Sequence, residues 1–215
     1  MKRSQSSFCA LLCFLALSCT HGSAPSNMPQ AQPRKEASDD PFELIIDDIT
    51  PFIQKGYRTA ERTPDDIDII VIHSNNFLGV DSFSTEGCLQ QFEAANVSPH
   101  YMITREGIVI QMVKEKDIAW HAGESILPGT DRRALNASSI GIEIVNTQSE
   151  EPTPHQYKAL LELCQQLTQK WGIRYIVRHS DIAPDRKTDP WLLDWDQFEH
   201  DLKERVSEDL LFPRK

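Results

Sequence analysis

Apolar residues recur along the chain in two rhythms, and the rhythm switches several times between residues 41 and 209. Ile67 to Ile72 is an apolar run broken only by Asp68, which predicts a strand buried on both faces. From Phe83 to Ala95 the spacing becomes helical, with Phe83, Cys88, Phe92 and Ala95 able to share one face. Tyr101 to Thr104, an Arg-Glu-Gly turn and Ile108 to Val113 predict a hairpin. Ile140, Ile142 and Ile144 alternate with Gly141, Glu143 and Val145, the period of a strand. Thr153-Pro154 opens a helix expected to reach about Trp171, with Tyr157, Leu160, Leu161, Cys164 and Leu167 as its apolar positions. Tyr175 to Val177 predicts a short strand, and Trp195 to Val206 a last helix. Strands and helices alternate, but a hairpin interrupts them. The pattern therefore predicts an α/β fold, a mixed central sheet flanked by helices, within one domain at residues 42–215.

The first 41 residues follow neither rhythm. Lys2 and Arg3 precede an apolar run from Phe8 to Leu17, too short to span a membrane as a mature helix and suited to an export leader over residues 1–18. Ser18-Cys19 ends that run and resembles the lipobox of bacterial lipoproteins, although Ala16 stands where Leu is commonest. The resemblance implies lipidation of Cys19, a membrane anchor and a periplasmic location; plain secretion is the alternative. Residues 19–41 are rich in Pro, Ser, Gln and Ala with little to bury, and read as a flexible tether a few nanometres long.

Composition changes this picture in two ways. At 40% hydrophobic and 25% charged residues the chain is globular, with a formal charge of -10 and a pI near 5.1. Removing residues 1–18 takes away Lys2 and Arg3 and no acid, so the charge moves to -12. Neither nucleic acid nor anionic lipid attracts such a surface. Cys9, Cys13 and Cys19 lie in the leader region, leaving Cys88 and Cys164, each among apolar neighbours in a helical stretch. Two buried thiols are the expectation over a disulfide, and the absence of a Cys-x-x-Cys spacing excludes a thiolate zinc site.

Two histidines end predicted strands: His73 closes the Ile67 run, and His179 closes residues 173–179. Ligands of α/β sheets gather beyond the carboxyl ends of strands. One histidine there is usually a satisfied polar residue; two at matching positions point elsewhere. Asp189 follows His179 across a loop containing Pro184 and stopped by Pro190, long enough to bring a carboxylate back to the strand end. Two imidazoles and one carboxylate would give Zn2+ three protein ligands and leave a position open. Glu143 sits mid-strand on the face of Gly141 and Val145, either as a solvent-facing residue or as a general base beside space left by Gly141. Lys187 is either a surface lysine or a fixed charge facing an oxyanion.

The residues just named fall in three of five segments: Ile-Val-Ile-His at 70–73, Val-Ser-Pro-His-Tyr at 97–101, Ala-Trp-His-Ala-Gly at 119–123, Ser-Ile-Gly-Ile-Glu-Ile-Val-Asn at 139–146 and His-Ser-Asp-Ile-Ala-Pro-Asp-Arg-Lys-Thr-Asp-Pro at 179–190. In this order they resemble the type 2 N-acetylmuramoyl-L-alanine amidases, which share a fold with peptidoglycan recognition proteins. The resemblance covers about residues 65–205. It implies a monomeric, zinc-dependent catalytic domain that cuts the bond between N-acetylmuramic acid and L-alanine in peptidoglycan or muropeptides. By it, His73, His179 and Asp189 are zinc ligands, Glu143 the catalytic carboxylate and Lys187 the oxyanion-stabilising residue. Trp120 and His121 are expected to wall the substrate groove, with His100 and Asn146 as further candidates there, His100 in a structural or supporting role.

Two segments depart from the family pattern: Trp191 stands where Gly is frequent after Asp-Pro, and residues 126–132 replace a usual Arg-Gly pair. Competing readings are a peptidoglycan-binding module without catalysis, which typically lacks a zinc ligand, and a cell-wall peptidase. No Ser is followed by Lys in Ser-x-x-Lys spacing, and Cys88 serves as a nucleophile only if exposed.

Overall fold

A computed structural model of the protein describes residues 42–215; the expected leader, Cys19 and the tether lie outside them. The described strands are β1 (Ile46–Asp48), β2 (Tyr57–Arg58), β3 (Ile69–Asn75), β4 (Tyr101–Ile103), β5 (Val109–Gln111), β6 (Ile118–Ala119), β7 (Ser139–Val145) and β8 (Tyr175–Arg178). Four α-helices accompany them: α1 (Thr85–Ala95), α2 (Pro154–Trp171), α3 (His179–Ile182) and α4 (Trp195–Arg205). The main sheet runs β1-β5-β4-β7-β3-β8. Only the β4–β5 hairpin is antiparallel within it, so the sheet is mixed, as the hairpin between alternating elements predicts. β2 and β6 form a separate antiparallel pair.

β3 and β7 are adjacent interior strands, and their side chains divide by parity. Ile70 and Ile72 of β3, with Ile140, Ile142 and Ile144 of β7, are buried against Leu160, Leu163 and Leu167 of α2 and Phe198 and Leu202 of α4. Each such side chain contributes on the order of 1.5–3 kcal/mol by leaving water. Residues of the opposite parity face the other side of the sheet. There Ile69 and Val71 meet Ala122, Leu127 and Leu135, while Val145 meets Cys88 and Phe92 of α1. Cys88 and Cys164 are both free, and they belong to clusters on opposite faces of the sheet, which rules out the disulfide.

Local chemistry sets the ends of the elements that hold the site. Ser84 caps α1 by accepting from the Gly87 N–H. Thr153 and Gln156 form a capping box at the start of α2, with Pro154 in the first turn. The Gln156 amide also donates to the carbonyls of Ile103 and Val145, which fastens α2 across the ends of β4 and β7. Gly172, at φ +68°, ends α2 in the left-handed conformation that glycine adopts without a Cβ penalty. Beyond β8 the chain enters α3 at once, so His179 begins a helical turn instead of closing a strand.

Candidate metal centre

The register of the sheet assembles the site. β3 lies between β7 and β8, all three parallel, and His73 is directly opposite Glu143. His179 follows β8, so three neighbouring strands deliver side chains to one sheet end. Asp189 returns to this point from the loop after α3: its carbonyl accepts from the Ser180 N–H, and its carboxylate accepts from the Ser74 N–H at 3.4 Å.

His73, His179 and Asp189 are all buried and offer three ligand atoms within 4.8 Å of one another. His73 Nδ1 and His179 Nδ1 are 2.8 Å apart, and Asp189 Oδ2 is 3.1 Å from His179 Nδ1 and 3.6 Å from that of His73. The other ring nitrogen of His179 faces the Ala122 carbonyl at 3.4 Å, a partner that can only accept, so the His179 proton belongs on Nε2 and Nδ1 is bare. Zinc with bonds of about 2.0–2.1 Å in a tetrahedron sets its ligands roughly 3.3 Å apart, a separation these atoms bracket. Two imidazole nitrogens and one carboxylate oxygen are therefore a donor set that fits a zinc-type cation.

Charge states agree with that use. Burial and the neighbouring His179 pull His73 down to about 4, which keeps it neutral, the form that binds metal. Burial works to raise the Asp189 carboxyl, but its neighbours in the cluster hold it well below the usual carboxylate range. Glu143 behaves in the opposite way: burial, then the charge of Asp189, raise it well above an ordinary glutamate, with Lys187 opposing. Glu143 Oε1 is 4.0 Å from His73 Nδ1, and its buried Oε2 has no hydrogen-bond partner. An orphaned carboxylate oxygen beside three converging ligands is costly to stability and is a common signature of a reacting group.

Glu143, His179 and Asp189 line a cleft of about 560 Å³, together with Asn75, Trp120, His121, Lys187 and Trp191. A larger cavity of about 720 Å³ lies beyond Arg186 and is lined by none of His73, His179, Asp189 and Glu143. Lys187 is half-buried on the cleft wall, and its charge reaches both Glu143 and His73.

Two groove candidates do not reach the cleft. His100 is fully buried behind β7: its Nδ1 accepts from the Gly141 N–H, and burial with the nearby Arg62 guanidinium pushes it down to about 3. Asn146 is also fully buried, and its amide donates to the Trp191 carbonyl at 2.8 Å, fixing the loop after Asp189. Buried polar residues can serve the backbone as readily as a ligand, and both do so here. Gly141 likewise leaves no room for substrate, because the His121 ring fills that space: a Cβ on Gly141 would lie 2.4 Å from His121 Cγ. Cys88 is wholly buried, and burial followed by the charges of Glu143 and Asp81 raises its thiol to about 11, which excludes it as a nucleophile.

Other participants carried no sequence signal. Arg62 is buried and donates to the Ser139 carbonyl at 2.8 Å, bracing the entry to β7. Asn136 Oδ1 accepts from the backbone N–H groups of His121 and Ala122. Asn75, two residues beyond His73, leaves a buried amide nitrogen without a partner on the cleft wall.

Comparison with known proteins adds to this geometry. The sequence profile of a family described as N-acetylmuramoyl-L-alanine amidase matches residues 63–191. A Haemophilus influenzae protein named 1,6-anhydro-N-acetylmuramyl-L-alanine amidase AmpD is 33% identical over 165 residues, covering 68% of this chain and 88% of that one. Its Enterobacter cloacae namesake is 41% identical over 105 residues, covering 47% of this chain; the match spans only 55% of that relative. Among solved structures, the Escherichia coli amidase AmiD in complex with the substrate anhydro-N-acetylmuramic acid-L-Ala-D-gamma-Glu-L-Lys superposes with a TM-score of 0.55 at 29% identity, over 69% of this chain and 66% of that one.

Proposed function

The chain belongs to the N-acetylmuramoyl-L-alanine amidase family, and we propose that it hydrolyses the amide between N-acetylmuramic acid and L-alanine in peptidoglycan or its fragments, using Zn2+ held by His73, His179 and Asp189. The observation that carries this reading is the convergence of three ligand atoms beside the unpartnered carboxylate of Glu143, in a cleft open to a substrate. A binding module without catalysis has no need of that orphaned group. The AmiD ligand is an anhydro-muramyl peptide, and the same class of fragment is the substrate proposed here.

When bound, the zinc ion supplies Lewis acidity toward the water and the scissile carbonyl. Glu143 accepts the proton as the water oxygen bonds to the lactyl carbonyl carbon. As the C–N bond breaks, Glu143 returns that proton to the alanine nitrogen, so a carboxylic acid and an amine leave. Burial and the Asp189 charge give the carboxylate the high proton affinity this shuttle needs. Lys187 holds a fixed positive charge on the cleft wall, where negative charge develops on the carbonyl oxygen. Trp120 and Trp191 provide apolar walls for sugar and peptide.

Mass analysis of muropeptide digests tests the reading. The expected products are free muramoyl sugar and an intact peptide beginning at L-alanine, with turnover abolished by a chelator and restored by zinc. Cleavage within the peptide, or chelator-insensitive turnover, would refute it.

The leader and Cys19 support export, lipid anchoring and action in the periplasm. Cys19→Ser should move the mature protein from the membrane fraction to the soluble one while leaving turnover unchanged. Wild-type membrane association in that variant would remove the anchor and leave the amidase reading standing.

A further inference from the structure

His121 touches a ligand as well as lining the cleft. Its Nδ1 lies 3.0 Å from His73 Nε2, with the two rings at 89°. Its Nε2 lies 3.2 Å from Ser139 Oγ. The proton positions along this chain of contacts follow from its far end. Ser139 Oγ is 2.7 Å from the Leu135 carbonyl, which can only accept, so the single hydroxyl proton points there. Toward His121 the serine can then only accept, which puts the His121 proton on Nε2. In the neutral ring Nδ1 is left as an acceptor, and it receives the N–H of His73 Nε2. His73 Nδ1 is thereby bare, and this is the atom that faces His179 and Asp189.

The residue that relays this order is held through its backbone and its ring. Asn136 Oδ1 accepts from the backbone N–H of His121 and of Ala122, at 3.2 and 2.8 Å. Gly141 provides the seat, since any side chain there would displace the ring. Ser139, Gly141 and Glu143 alternate along β7, so one face of one strand supplies the proton anchor, the seat and the carboxylate.

We infer that His121 is a positioning residue that fixes both the tautomer and the ring orientation of His73, presenting Nδ1 to the metal, and that Ser139 and Gly141 in turn set His121. This rests on reading His73 as a ligand.

The test is zinc affinity of the metal-free full chain, measured by competition with a chromophoric chelator. His121→Leu should weaken zinc binding by about 10- to 100-fold, the usual effect of losing a partner of a metal-bound histidine. In His121→Asn the amide oxygen lies at the δ position and can again accept from His73 Nε2, so most of that loss should be recovered. A groove wall alone would raise KM and leave zinc affinity unmoved. An affinity of His121→Leu within twofold of wild type, or His121→Asn binding as weakly as His121→Leu, would overturn the inference while leaving the ligands in place. If His121→Leu fails to fold, Ser139→Ala carries the same test: weaker zinc binding supports the relay, and unchanged binding overturns it. Should wild type and His73→Ala bind zinc equally, the metal reading falls and the inference with it.

Discussion

Glu143→Ala should retain a full complement of zinc yet lose turnover by at least about a hundredfold, the usual scale for a general base. Its carboxylate faces the ligand cluster from the strand position opposite His73, is almost wholly buried, and has one oxygen without any partner. Such a group costs stability, so the variant should melt no lower than wild type. That combination separates a catalytic carboxylate from a structural one, whose loss would lower melting temperature and leave turnover intact. Lys187→Ala should also lower turnover by about 10²-fold or more, as expected for one lost oxyanion donor, with metal content unchanged. Turnover and zinc content are measured side by side on a muramoyl-peptide. Wild-type turnover in Glu143→Ala would place the base elsewhere, and loss of zinc would make Glu143 a ligand.

What the sequence made legible follows from how each residue is constrained. β3 and β7 are seven-residue strands packed on both faces, so their isoleucine runs and alternation announce them. α2 is marked by Thr153-Pro154 and by an apolar stripe that meets the sheet. β1, β2 and β6 contain only two or three residues, too few for any periodicity to appear. α3 has a single turn, so nothing distinguishes His179 at its first position from a residue ending a strand. The two histidines that meet beyond β3 and β8 were legible because sheet ends are where ligands collect. The direction of a polar side chain was not: His100, beside the middle of β7, and Asn146, just past its end, turn inward to backbone partners. Gly141 was visible as a missing side chain, but the ring that fills its place comes from a loop some distance away in sequence, and pattern carries no information about that contact.

His179→Ala should empty the site. His179 is one of the three proposed ligands, and its Nδ1 is the closest approach both to His73 Nδ1, at 2.8 Å, and to Asp189 Oδ2, at 3.1 Å. Without it a metal would meet only His73 and Asp189, whose ligand atoms are 3.6 Å apart, with no third protein donor among the assigned ligands. Metal bound to the folded state alone raises stability by about 2.7 kcal/mol when its free concentration is a hundred times Kd. Wild type should therefore melt at rising temperature as zinc is added, whereas His179→Ala should show no rise over the same range, carry almost no zinc after desalting, and turn over muramoyl-peptide at background rate. In chelator the two proteins should differ far less, because the contribution of the metal is then absent from both. A variant that kept its zinc, its zinc-dependent melting shift and its turnover would mean that the ion is held elsewhere.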